Sequence, residues 1–177
     1  MATPLSQLVK IRQQKLTAIQ QLGLSPFAFS FSKKQTVNDC LKKPVRPVQT
    51  AGRLLSIRGH GAITFADLVD ETGRIQLLLK KENLSTKHQQ LVTLLDTGDI
   101  VGVAGPVITT KAGQVTIEVK QLTFLTKALR PLPSLWHGLT DVEERYRQRY
   151  VDLILNPAVR QVFNLRTRLV TFLRHHL

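Results

Sequence analysis

Hydrophobic residues near the start of the chain recur about every 3.6 positions, which is the period of an α-helix. Pro4 suits the first helical position, and Gly23 suits the residue just after the helix end. Arg12 interrupts the apolar stripe, and Lys10 and Lys15 lie beside it, so these three cations are expected to have room to reach solvent. The pattern predicts one basic amphipathic helix whose apolar stripe comprises Leu5, Leu8, Val9, Leu16, Ile19 and Leu22.

From residue 48 onward, apolar positions alternate with polar ones, as in half-buried β-strands. Five strands are predicted at residues 49–58, 62–70, 74–81, 99–108 and 115–125, with a short amphipathic helix at residues 83–95. Three strands, a helix and two strands are the element order of the OB-fold, a five-stranded Greek-key barrel that commonly binds oligonucleotides on the face of its second and third strands. We therefore expect a mainly β fold with flanking helices, although other small barrels share this strand count and a fold alone gives no function.

The segments on either side of the predicted barrel differ from it in pattern. Residues 28–47 are irregular and contain Pro44 and Pro47, which indicates a linker after the first helix. After the barrel, residues 130–133 are extended, and two helical patterns follow at residues 141–155 and 159–177. The expected organisation is an amino-terminal helix with its linker (1–47), the barrel (48–126) and a junction with helices (127–177). Because the last helical pattern still runs at the end of the sequence, we expect a longer protein.

The charge of the chain points to a polyanionic partner. Lys and Arg number 25 against 12 acids, which gives a formal net charge of +13, and such an excess is typical of nucleic-acid binding. No apolar run approaches the ~20 residues that span a bilayer, so no membrane partner is expected. Cys40 is the single cysteine, which fits a reducing compartment. We expect a cytoplasmic location; because no acid precedes Asp39, an organelle transit peptide is the alternative.

The sequence offers little for catalysis. The five histidines lack the spacing of metal ligands, and a single cysteine excludes a cysteine zinc site. Asp67 and Asp70 are three positions apart on a predicted strand, hence on opposite faces, which makes them poor candidates for an acid–base pair. We expect no catalytic residue, no metal site and no cofactor within these residues.

Binding features are stronger than catalytic ones. On the third predicted strand, Ile and Leu alternate with polar residues, so Arg74 and Gln76 share the face opposite the apolar one. On the first, Leu55 and Ile57 share a face, so Arg58 points away from it. Arginine supplies a planar donor fork, and glutamine supplies a donor and an acceptor, so this face suits phosphates and base edges. Ordinary solvated side chains are the alternative interpretation.

Phe65 and the basic first helix have two interpretations each. Phe65 lies on the second predicted strand and suits either a base-stacking platform or an ordinary core position. Lys10, Arg12 and Lys15 suit either contacts with a nucleic-acid backbone or a solvated helix face. Their residue types and spacing do not decide between these interpretations.

Three ordered strings carry a resemblance to a known family. Residues 125–133 (LTKALRPLP), 137–139 (HGL) and 144–154 (ERYRQRYVDLI) together resemble the junction between the anticodon-binding and catalytic domains of class II lysyl-tRNA synthetases. The opening helix and residues 51–53 and 73–77 are also similar to that family. The resemblance implies an OB-fold anticodon-binding region followed by a truncated start of the catalytic domain, and it weakens the transit-peptide interpretation.

The resemblance also implies roles for individual residues. In that family the barrel recognises the U-rich anticodon of lysine tRNA. Phe65 matches the aromatic residue that stacks on a base, Gln76 the amide that recognises the central uracil, and Arg58 a basic residue beside the same bases. Gln121 stands where many relatives have Glu, so the third anticodon contact stays open, and Arg74 is expected near the same bases.

The resemblance further implies properties of a longer enzyme. ATP and Mg²⁺ are expected to serve the longer enzyme, which is expected to be a homodimer, whereas this stretch by itself is not expected to be catalytic. Two alternatives stay open: a stand-alone cationic OB-fold protein that binds single-stranded nucleic acid, and a truncated paralogue that docks on a full-length synthetase.

Overall fold

The computed structural model describes residues 4–42, 47–133 and 139–177. They form two compact units, Met1–Pro131 and Leu132–Leu177, which are described separately. The linker residue Pro44, together with Trp136, His137 and Gly138, lies outside the described residues. The predicted boundaries at residues 47 and 126 stay predictions.

The described residues of the first unit form three helices and six strands, together with one 3₁₀ turn at Lys81–Asn83. The helices are α1 (Leu5–Gln21), α2 (Val37–Lys42) and α3 (Thr86–Leu94). The strands are β1 (Pro47–His60), β2 (Ile63–Val69), β3 (Arg74–Lys80), β4 (Ile100–Thr109), β5 (Val115–Glu118) and β6 (Gln121–Thr126).

The strands close into the predicted OB-fold barrel. Their order is β1-β2-β3-β5-β4-β6, and β1 also pairs with β4 to close the sheet. The long β1 achieves this because its first half pairs with β4 and its second half with β2. The predicted fifth strand is divided in two: β5 pairs in parallel with β3 and antiparallel with β4, and β6 pairs antiparallel with β4. Counted as one, β5 and β6 give the expected five-stranded barrel.

A bulge in β1 changes which leucine enters the core. The register with β2 shifts between Leu54 and Ser56, so one extra residue is accommodated and the alternation reverses. Leu54 is buried, whereas Leu55 is only partly buried. The expectation that Leu55 shares the core face with Ile57 is therefore wrong. Arg58 follows the bulge and still points outward.

The core lies inside the barrel and continues under the helices. Alternating residues of β3, together with Ala66 and Leu68 of β2, point inward. Ile19 of α1, Val37 and Cys40 of α2, and Leu91 of α3 belong to the same buried cluster. Each Å² of apolar surface removed from water stabilises the fold by about 25 cal/mol. This gain in free energy explains why these helices pack on the barrel.

Lys127 and Arg12 connect α1 and the segment after β6 to the barrel. The Nζ of Lys127 is buried and donates to the carboxylates of Asp96 at 2.7 Å and Asp99 at 2.8 Å. The guanidinium of Arg12 donates to the carbonyls of Ala128 at 2.8 Å and Arg130 at 3.2 Å. We call the group formed by Lys127, Asp96, Asp99, Arg12 and the carbonyls of Ala128 and Arg130 the Lys127 clamp.

The second unit is helical. Its helices are α4 (Val142–Arg147), α5 (Arg149–Leu155) and α6 (Pro157–His176). The single helix predicted at residues 141–155 is thus two helices that meet at Gln148. Asp152 is buried and accepts hydrogen bonds from Arg145 and Arg149. Within the described residues, no helix is both long enough and apolar enough to cross a membrane.

Candidate nucleic-acid interface

The outer face of β2 and β3 carries two cross-strand rows of side chains. In one row, Arg58 pairs with Phe65, Phe65 with Leu78, and Leu78 with Glu118. We call it the Phe65 row. Neighbouring strands lie about 4.8 Å apart. Each residue of the row therefore lies directly beside the next one, although the chain separates them in sequence.

The adjacent row is polar. Ser56 pairs with Asp67, Asp67 with Gln76, and Gln76 with Thr116. We call it the Gln76 row. Because it lies two positions along each strand from the Phe65 row, it faces the same side of the sheet. A row with an apolar centre and charged ends therefore lies beside a polar row on this face.

A groove of about 860 Å³ runs over these rows. Its lining residues come from β1, β2, β3, the end of β4 and the hairpin between β4 and β5. Its cations are Arg58 on β1, Lys80 on β3 and Lys111 in the hairpin between β4 and β5. The lining residues are Arg58, Gly59, Ile63, Phe65, Gln76, Leu78, Lys80, Ile108, Thr109, Thr110, Lys111, Ala112 and Gln114.

Phe65 belongs to the groove and not to the core. Its neighbours Ala66 and Leu68 are buried in the barrel, whereas Phe65 is only partly buried and lies outside the core cluster. Of the two interpretations of this side chain, the structure therefore favours the accessible one. A partly exposed ring in a groove is suited to stacking on a base.

Gln76 lines the groove but is held in place. The residue is 8% exposed, and its Oε1 accepts a hydrogen bond from the Oγ1 of Thr116 at 2.9 Å. The alternative that Gln76 is an ordinary solvated strand residue is therefore wrong. Its burial follows from the parallel pairing of β3 with β5, which the sequence alone did not predict.

Arg58 and Arg74 share one carboxylate. An Nη2 of Arg74 lies 2.7 Å from Oδ2 of Asp67, and that of Arg58 lies 3.7 Å from the same oxygen. Burial by itself would raise the pKa of Asp67, but hydrogen bonds from Arg74 and Ser56 outweigh burial and hold that pKa below its ordinary value. Both arginines remain mostly exposed; Arg58 lines the groove, whereas Arg74 lies outside the lining.

A second ion-pair group stands at the end of the Phe65 row. Glu118 lies 3.0 Å from Nζ of Lys80 and 3.4 Å from Nζ of Lys120. The hydrogen bond from Lys80 lowers the pKa of Glu118 despite desolvation. Lys80 is therefore a partly neutralised cation. Lys111 in the hairpin also lines the groove and is exposed.

Gln121 is not part of this groove. It is exposed on β6 and pairs with Ala104 of β4, beyond the interruption that separates β5 from β6. The structure does not bring Gln121 together with Phe65 and Gln76, because the strand expected at residues 115–125 is divided into β5 and β6. An anticodon contact from Gln121 stays a prediction. Besides Gln76, the groove is lined by Gln114, just before β5. Sequence reasoning missed Gln114; the hairpin turn beside it was the available signal.

The cations of α1 do not act as one basic surface. The side chain of Arg12 is buried against carbonyls of the Lys127 clamp, and Nζ of Lys15 lies 2.6 Å from Asp96. The expectation that Arg12 has room to reach solvent is wrong, and Lys15 is engaged in an ion pair. Lys10 is exposed, as expected.

Asp70 has a structural role. It accepts hydrogen bonds from Lys33 at 2.8 Å, from the main-chain N–H of Val37 at 2.9 Å and from Thr72 and Gly73. Burial opposes ionisation, but these hydrogen bonds outweigh it and lower the pKa of Asp70 to about 2. Among the described residues, no group of three or more ligating side chains is placed to hold a metal ion.

Comparison with known proteins agrees with this geometry. The tRNA anticodon family model, described as an OB-fold nucleic acid binding domain, matches residues 48–125. The chain is 43% identical over 177 residues to a protein of Carboxydothermus hydrogenoformans named lysine–tRNA ligase, an alignment that covers 98% of the chain and 36% of that protein. Proteins of the same name from Moorella thermoacetica and Fusobacterium nucleatum are 45% and 41% identical over 174 residues, which are 96% of the chain and 36% and 35% of those proteins. The chain thus spans about a third of the length of these relatives.

Proposed function

We propose that this chain binds the anticodon loop of a lysine tRNA as one part of a longer ligase. Residues 48–125 match the OB-fold nucleic acid binding model, and nearly the whole chain is similar to proteins named lysine–tRNA ligase. The observation that carries the proposal is that Phe65 and Gln76 line the same groove, with Arg58 at one side. A stacking surface, a fixed hydrogen-bonding group and a cation are the elements from which proteins recognise unpaired bases.

The proposed binding proceeds in three physical steps. The excess of cations attracts the phosphate backbone of the loop over a distance, without regard to sequence. A base then leaves the loop stack and lies against the ring of Phe65, which contributes about 1–3 kcal/mol. Gln76 hydrogen-bonds the edge of a neighbouring uracil, while Arg58 pairs with a phosphate or a carbonyl of the same nucleotides.

Aminoacylation is assigned to the longer protein. ATP and Mg²⁺ would serve there, and we place none of that chemistry on the residues of this chain. The proposed setting is the cytoplasm, which the single, buried Cys40 suits. In the longer protein, a homodimer would cover the apolar residues that α6 exposes, namely Val162, Leu165, Leu169, Phe172 and Leu173.

A salt-controlled titration tests the proposed function. The chain is titrated against two RNA stem-loops that differ only in the anticodon, UUU or UCU, at several salt concentrations. Tighter binding of the UUU loop at every salt concentration is the expected result. Equal affinities that fall together as salt rises would contradict it, and would favour a cationic binder of single strands or a paralogue that docks on another synthetase.

A further inference from the structure

The hydroxyl of Thr116 lies directly behind Gln76. Thr116 is fully buried on β5 and pairs in parallel register with Gln76 of β3. Its Oγ1 has one proton to donate. The nearer acceptor is Oε1 of Gln76 at 2.9 Å, and the carbonyl of Gln114 is a second acceptor at 3.2 Å. Thr116 does not line the groove, so it acts on a ligand only through its neighbours.

The direction of this hydrogen bond fixes the two ends of the Gln76 amide. A side-chain amide has an acceptor oxygen and a donor NH₂ of nearly the same shape, and only its hydrogen-bond partners decide which end points where. Because the threonine hydroxyl donates to the oxygen, that oxygen is held toward β5. The NH₂ end is thereby held at a fixed place relative to the groove.

The orientation of the amide determines which pyrimidine fits. The pairing edge of uracil offers a carbonyl acceptor beside an N–H donor, whereas that of cytosine offers an amino donor beside a nitrogen acceptor. An amide oxygen accepts two hydrogen bonds, so the oxygen bonded to Thr116 keeps a second lone pair for a base. In this one orientation the amide pairs with uracil through both of its ends. Rotated by 180°, the same amide pairs with cytosine instead. A glutamine free to rotate would therefore accept both bases.

We propose that Thr116 is a specificity-determining positioning residue: its hydroxyl locks the Gln76 amide in the orientation that pairs with uracil and rejects cytosine. The inference rests on the proposed function, because it concerns the base that Gln76 contacts. Thr116 itself touches no nucleotide. Its effect is on the discrimination between uracil and cytosine. Other residues make the stacking and phosphate contacts.

Thr116→Val tests the proposal, because valine keeps the shape of threonine and its preference for β-strands but removes the donor. We expect the ratio of UUU to UCU stem-loop affinities to fall by about three- to tenfold, the effect of one neutral hydrogen bond. Thr116→Ser keeps the hydroxyl and is expected to keep most of the ratio. Circular dichroism and the salt dependence of binding establish that both variants retain the fold and the phosphate contacts.

A double variant separates positioning from packing. In a Gln76→Ala background, adding Thr116→Val should leave the ratio unchanged, because no amide remains to be oriented. An unchanged ratio in Thr116→Val alone, an equal loss in Thr116→Ser, or a further loss on top of Gln76→Ala would each overturn the inference. If wild-type protein binds the UUU and UCU loops equally, the proposed function fails instead, and the two failures are thus distinguishable.

Discussion

Arginines of this chain differ in what their guanidinium groups contact. Arg12 is buried and donates to two main-chain carbonyls, so its charge is committed to the fold. Arg58 keeps 65% of its side chain exposed and borders the groove, with only a 3.7 Å contact to Asp67. The difference arises from tertiary surroundings, because both residues occupy polar positions within otherwise apolar patterns.

Replacement of Phe65 by alanine is the residue-scale prediction. We expect Phe65→Ala to weaken binding of the UUU stem-loop by about 1–3 kcal/mol, because the stacking surface is lost. Phe29→Ala is the matched control, since Phe29 is also exposed but lies outside the groove lining. Isothermal titration with both variants measures the effect. Equal affinities for the two variants, with intact folds by circular dichroism, would contradict the stacking role of Phe65.

At the scale of elements, strand pairing determines the composition of the interface. The parallel pairing of β3 with β5 places Thr116 beside Gln76 and the β4–β5 hairpin over the groove. The strand is interrupted after Glu118, and Gln121 at the start of β6 pairs with Ala104 of β4. A continuous fifth strand would have been consistent with the alternation along the sequence, yet it would have produced a different set of neighbours.

The Lys127 clamp gives the element-scale prediction. We expect Lys127→Met to lower the free energy of unfolding by about 3–5 kcal/mol, because the carboxylate of Asp99 stays buried without its cation. Asp96 loses one of the two lysines whose hydrogen bonds, against the effect of burial, lower its pKa. Lys81→Met, at an exposed lysine, is the control. Urea unfolding followed by circular dichroism measures both, and equal midpoints would contradict a stabilising clamp.

At the scale of the whole molecule, the net charge of +13 exceeds the charge available for binding. Lys15, Lys33, Lys80 and Lys127 all lie in ion pairs with acids. Long-range attraction of a polyanion depends on the total charge, whereas direct phosphate contacts require exposed cations. The rate at which a polyanion associates is therefore expected to depend on all of the charged residues. The number of direct phosphate contacts is expected to depend only on the exposed lysines and arginines.

Lys10 provides the prediction at this scale. We expect Lys10→Ala to make the slope of log affinity against log salt concentration shallower by about 1, without a change in the UUU-to-UCU ratio. Lys10→Arg keeps the charge and should keep the slope. Fluorescence titrations over a range of salt concentrations measure both. A wild-type slope in Lys10→Ala would show that this lysine makes no phosphate contact.

The sequence by itself predicted the barrel, the helix between its third and fourth strands, the face on which Arg58 and Gln76 lie, and the family resemblance. It did so because alternation and charge are local properties of the chain. It missed α2, the division of the fifth strand into β5 and β6, and the division of the helix at residues 141–155 into α4 and α5. Tertiary structure decided that Phe65 belongs to the groove, that Gln114 lines the groove whereas Gln121 does not, and that Arg12 is buried. These outcomes depend on a bulge, a parallel strand pair and buried ion pairs, which join residues far apart in sequence and leave no local pattern.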